Sequence, residues 1–122
     1  MGANTTAFGN ASVGFISRPL VISATIAKAV MVTDTGNTVC VTAATASGIS
    51  LWAGSSGDTI DVQMAGIALW SASTTVAIFA QVDCDGAGLC ITHTSGGILR
   101  GKALAAAGAA GDIIPVLLAS GF

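Results

Sequence analysis

This 122-residue sequence contains no glutamate and no tyrosine, only four lysine and arginine residues, and a single histidine, His93. Each shortage excludes something. With Glu absent and Lys and Arg scarce, the usual formers of exposed helix are missing. Charged residues make up 8% of the chain, against about 25% in an ordinary soluble domain. The net charge is −2 and no basic cluster exists. No nucleic-acid partner is expected, because phosphate binding rests on grouped Lys and Arg. Catalysis is poorly provided for. No GxSxG elbow accompanies His93, so a Ser-His-Asp triad lacks its nucleophile. Asp58 and Asp61 are three apart on an expected strand and so turn to opposite faces. Asp83 and Asp85 share a face only at a turn, where solvated Asp is ordinary. The chain is not expected to be an enzyme, and no cofactor is implied.

A membrane-spanning run is missing too, although 52% of the residues are hydrophobic. Val62–Val82 is the longest uncharged candidate, yet it carries two Gln and several Ser and Thr. Its alternation and its "SAST" turn fit two strands better than a spanning helix, so no membrane is expected. The opening "MGANTTAFGN" lacks the basic and apolar regions of a signal peptide. It satisfies the loose myristoylation spacing, Gly2 with Thr6, which is short enough for chance to explain. Three cysteines cannot complete a disulfide framework, since an odd count leaves one over. Cys40, in "NTVCVTA", reads as a small buried hydrophobe. "DCDGAGLCITH" brings Cys84, Cys90 and His93 close in sequence, but Cys-x5-Cys-x2-His is not zinc spacing and no fourth ligand is evident. The plain reading is a hairpin turned at 85–88, with Cys84 and Cys90 close across it as thiols, a disulfide or, least of all, metal ligands.

What the chain does have is strand formers and turn formers. Thr, Val and Ile abound, and glycine reaches 16. The stretch 20–34 is ambiguous at its start between a short helix and a strand, and ends as a strand. "TGN" at 35–37 turns it, and "TVCVTAA" at 38–44 returns as a second strand. A phrase then recurs: "GISLW" at 48–52, "GIALW" at 66–70 and, more loosely, "GKALA" at 101–105. Each opens a strand-turn-strand unit. The first and third share more, because "GSSGD" at 54–58 parallels "GAAGD" at 108–112 before their second strands. "GGILRGKA" at 96–103 nearly spells a phosphate loop. Ala103 lacks the hydroxyl such a loop needs, and Gly101 is already explained by the repeat. Short strands with Gly and Ser turns predict a mainly β fold: a small single-domain β-barrel or sandwich, β-tulip-like, with little helix.

Residues 1–19 are rich in Asn, Thr, Ser and Gly and carry Phe8, Phe15, Arg18 and Pro19. They read as an extended arm ahead of a β-rich domain over 20–122, with the aromatics as anchors on a neighbouring subunit. Trp52 and Trp70 are left between core and interface. So weakly charged a surface calls for covering by other protein, and an oligomer or assembly component is expected.

From Leu20 onward the order of segments resembles the head-decoration, or capsid cement, proteins of tailed bacteriophages. The stretches that carry the resemblance are "AVMVTDTGNTVCVT", "GISLWAGSSGDTIDVQMAGIA" and "GILRGKALAAAGAAGDIIPVLL". The resemblance implies a compact homotrimer on the outer surface of the capsid. There it would bind the major capsid protein, bridge capsomers and resist the pressure of packaged DNA, with an N-terminal arm reaching onto the shell. One departure is that "ALAAAGAAGD" has no acid before Asp112, where such proteins often carry one. Two alternatives stay open: a small β-barrel binding a metal or ligand through the 83–93 hairpin, and a shell or surface-layer subunit of non-viral origin.

Overall fold

A computed structural model describes residues 16–34, 37–42 and 44–119. These contain no helix; the regular structure is strand throughout. In chain order the strands are β1 (Ile16–Val21), β2 (Met31–Thr33), β3 (Ala46–Ser50), β4 (Thr59–Ala65), β5 (Ile67–Ser71), β6 (Gln81–Cys84), β7 (Cys90–Thr92), β8 (Gly101–Ala103) and β9 (Ile113–Leu118). They form two antiparallel sheets, ordered β1-β4-β3-β2 and β5-β9-β8-β6-β7. Neither sheet closes on itself, so the architecture is sandwich-like rather than a barrel.

The second sheet repeats the first. β5, β9, β8 and β6 take the places of β1, β4, β3 and β2, and β7 is added at the edge. The registers agree residue by residue. Leu20 faces Ile60 as Trp70 faces Ile114, and Met31 faces Ile49 as Gln81 faces Lys102. The connections agree as well. Ile26 exchanges backbone hydrogen bonds with Gly54, as Val76 does with Ala107, and Gly57 N–H donates to Ile22 O, as Gly111 N–H does to Ala72 O. Behind this lies a second repeat in the sequence, "TIAKAVMV" at 25–32 against "TVAIFAQV" at 75–82.

Two expectations for the first half change. Residues 22–30 are a bridge and a turn, not a short helix, because Ile26 pairs with Gly54. The strand partner of β2 is β3; of 38–44, the described residues contribute the Val32–Val39 bridge on the outer edge of β2. β1 also runs across position 19/20, where the sequence suggests a boundary between arm and domain. Pro19 is tolerated there because β1 is an edge strand, where a missing N–H breaks no ladder on the open side.

The recurring glycines have a shared cause. A Cβ at Gly48 would collide with the carbonyl oxygen of Gln63, and one at Gly101 with that of Leu117. Both collisions are with neighbouring-strand backbone, which cannot swing away. Gly101 therefore lies in a strand, in the place of Gly48, and opens no phosphate loop.

Each half has its own core. Leu20, Ile22, Ile26, Val32, Ile60 and Val62 form one, and the matching residues Trp70, Ala72, Val76, Val82, Ile114 and Val116 belong to the other. The second core also takes in Met31, Cys40, Ala46 and Ile49 from the first half, so the halves are packed into one body.

Candidate interaction face

In an antiparallel sheet with one wet face, strands alternate apolar inward and polar outward. β9 does not. Ile114, Val116 and Leu118 are buried, yet the outward positions are Ile113, Pro115 and Leu117. β5 behaves alike, with Ala68 and Trp70 inward and Ile67 and Leu69 outward. Register places Leu117 opposite Ile67 and Pro115 opposite Leu69, so the apolar side chains join across the strands. Phe79 continues the face. Its backbone is left-handed (φ 65°), its side chain is 60% exposed, and Lys102 Nζ lies 5.6 Å from its ring centre. Phe79, Leu99, Lys102 and Leu117 line a groove of about 340 Å³ there.

A second exposed patch lies on the first sheet. Pro19 pairs with Asp61, and the indole N–H of Trp52 donates to Asp61 Oδ2 at 3.3 Å. Trp52 is 57% exposed, and Ile16 and Val21 are exposed on the same strand as Pro19.

The 83–93 hairpin is built otherwise than a metal site. Asp85 Oδ1 accepts from the N–H groups of Ala87 and Leu89 and so shapes the turn. Cys84 and Cys90 are directly paired across the strands, yet both are free and buried. The Cys84 thiol instead meets Cys40, donating to its carbonyl at 3.6 Å, while Arg100 Nη2 donates to Cys40 Sγ at 3.6 Å. A side-chain hydrogen bond with Cys84, distinct from that carbonyl contact and helped by the Arg100 charge, draws the Cys40 thiol down to about 7 although burial opposes it. The same hydrogen bond, together with burial, pushes Cys84 well above the usual thiol range. Burial, with Asp83 and Asp85 nearby, pushes Cys90 up to about 12. His93 Nδ1 lies 2.9 Å from Asp83 Oδ2, which also accepts from Thr94 N–H. Among the described residues no group of three or more His, Cys or acidic side chains is placed to hold a metal ion. No helix among them is long and apolar enough to cross a membrane.

No protein-family model matches the sequence, and no curated protein matches it. A solved structure does: the N base of head fiber gp8.5 in bacteriophage phi29, at a TM-score of 0.72 over 87% of this chain and 95% of that one, with 10% sequence identity. The chain has the fold of a phage head-fiber base.

Within this head-fiber base fold the residues singled out from the sequence separate. Arg18, Pro19 and Trp52 lie exposed on the first half. Trp70, grouped on sequence with the interface candidates, is fully buried, and its indole N–H donates to Gly88 O at 2.9 Å. Phe8 and Phe15 lie outside the described residues. Sequence reading missed Phe79, Leu69 and Leu117. A cue existed in "IIPVLL", six apolar residues in a row where an antiparallel strand with a wet face alternates.

Proposed function

We propose that this protein is a structural component of a phage virion, seated as a homotrimer on the outer surface of the head. There it binds the major capsid protein and cements adjacent capsomers. The observation that carries this reading is the fold shared with the phi29 head-fiber base over nearly the full length of both chains. The sequence resemblance to head-decoration proteins points the same way, and a role in architecture rather than catalysis goes with both. The exposed apolar side chains of β5 and β9 support it as well, since a chain with so little charge needs partners to cover them. A cement protein repeats one modest contact across a lattice, so each bound copy gains from its neighbours.

The test is cosedimentation of the purified chain with DNA-filled heads of the phage whose genome encodes it. Saturable, stoichiometric binding that raises the temperature of head rupture is the expected result. Heads that bind none of it at saturating protein would overturn the proposal.

A further inference from the structure

The two halves share a fold but not a surface. In the first half, the outer side of β2, β3 and β4 carries Ala29, Met31, Ile49 and Gln63, and all four are buried. β5 covers this side. Ser71 N–H donates to Ala29 O at 2.9 Å, Gln63 Nε2 donates to the carbonyls of Ala65 and Ile67, and Ile67 and Leu69 wall the adjoining groove. In the second half the same four positions are Phe79, Gln81, Lys102 and Leu117, and all four are exposed. Among the described residues no strand lies over them. The fold therefore buries this position once and leaves it bare once.

The bare copy is also the more costly one to leave bare. Its left-handed residue is Phe79, a large aromatic held where L side chains are strained, whereas the first half uses Ala29. Ile67, Leu69, Phe79, Leu99, Ile113 and Leu117 are each between 39% and 60% exposed. Together they leave roughly 600 Å² of apolar surface, at the upper end of what a monomer shows and near the ~800 Å² per partner of a standard interface.

We infer that a second copy of this chain covers the Phe79–Leu117 face with its β1 strand, repeating between copies the contact that β5 makes within one. β1 is the counterpart of β5, among the described residues it is an edge strand, and Val21 holds the place of Ser71. The equivalent hydrogen bond runs from Val21 N–H of one copy to Phe79 O of the next. Pro19 and Trp52 then lie at the rim of the contact. The contact is head-to-tail, since the donor strand and the receiving face are different surfaces, and such a contact builds a ring when its rotation closes. This deepens the oligomer part of the proposed function. Because it is read on purified protein without heads, its failure and a failure of head binding are separate results.

Sedimentation velocity of the full chain tests it, with Leu117→Asp on the receiving face and Val21→Asp on the donor strand. Both sites are exposed, and circular dichroism checks that each variant is folded. The wild type is expected as one closed oligomer, and each variant as a monomer. Mixing the two variants restores a heterodimer, because the Val21→Asp copy keeps an intact face and the Leu117→Asp copy an intact β1. A wild type that stays monomeric at high concentration overturns the inference. An oligomer that survives Val21→Asp but not Leu117→Asp also overturns it, since that pattern means the apolar face packs against its own copy. Monomers that nevertheless bind heads would sink this inference alone.

Discussion

Cys40 is a buried thiol whose surroundings favour its charged form. Cys84 donates a hydrogen bond to it and Arg100 supplies a compensating charge, so its pKa falls from the ordinary 9.0 to about 7. A depressed pKa means that the folded state loses the proton first. Folding is therefore favoured increasingly as the pH rises from about 7 towards 9, and this contribution is lost as the pH falls back through 7. Cys84 and Cys90 are shifted the opposite way, so above about 9 the unfolded chain ionises first and stability declines. Urea unfolding at a series of pH values should show a rise of about 1–2 kcal/mol between pH 7 and 9, then a fall. Cys40→Ala should be less stable at every pH and show no such rise. A wild-type curve that is flat or descending from 7 to 9 would contradict the Cys40–Arg100 pairing.

The turns that lead into β2 and β6 carry backbone strain. Ala29 and Phe79 close equivalent two-residue turns with φ of 62° and 65°, a conformation that costs an L-residue about 1–2 kcal/mol. At Ala29 the small side chain is buried under β5, so the strain is locked in by packing. At Phe79 the side chain is 60% exposed in the single chain, and its ring meets Lys102 Nζ at 5.6 Å. Phe79→Gly, made in the monomeric Leu117→Asp background, should therefore stabilise the fold by about 1 kcal/mol in chemical denaturation. Made in the wild type, it should weaken self-association. A loss of monomer stability would show that Phe79 is held by its own chain and not kept for a partner.

The whole molecule is a doubled unit that does not divide into independent halves. Met31, Cys40, Ala46 and Ile49 of the first half lie in the core of the second, and Ser71 is tied to Ala29 across the junction. Unfolding the first half strips cover from the second, so the chain should unfold in one transition. Leu20→Ala, in the first core, should cost about 2–4 kcal/mol. Trp70 fluorescence, which reports on the second core, should shift its midpoint together with the far-ultraviolet signal. Separated midpoints would show that the halves unfold independently.

The chain's chemistry alone settled the class of fold. Missing Glu, scarce Lys and Arg, and plentiful Val, Ile and Thr leave strands as the one regular structure available, and the spacing of "GISLW" and "GKALA" located two of them. The hairpin at 85–88 was legible for the same reason, since an Asp-Gly turn is a local signal. The doubling was only half legible. Copies of "GISLW" stood out because Gly48 and Gly101 meet the same backbone obstacle, whereas Leu20 and Trp70 occupy one position with unlike side chains. "GIALW" opens an edge strand although it reads like the inner strand "GISLW", because burial on one face tolerates the same small-and-large alternation in either place. Which tryptophan is core and which is surface, and that the thiol of Cys84 also reaches Cys40, depended on residues brought together from distant parts of the chain. The bare face was decided in the same way. Ile49 and Lys102 begin alike in sequence, and only the packing of one half against the other buries the first and leaves the second open.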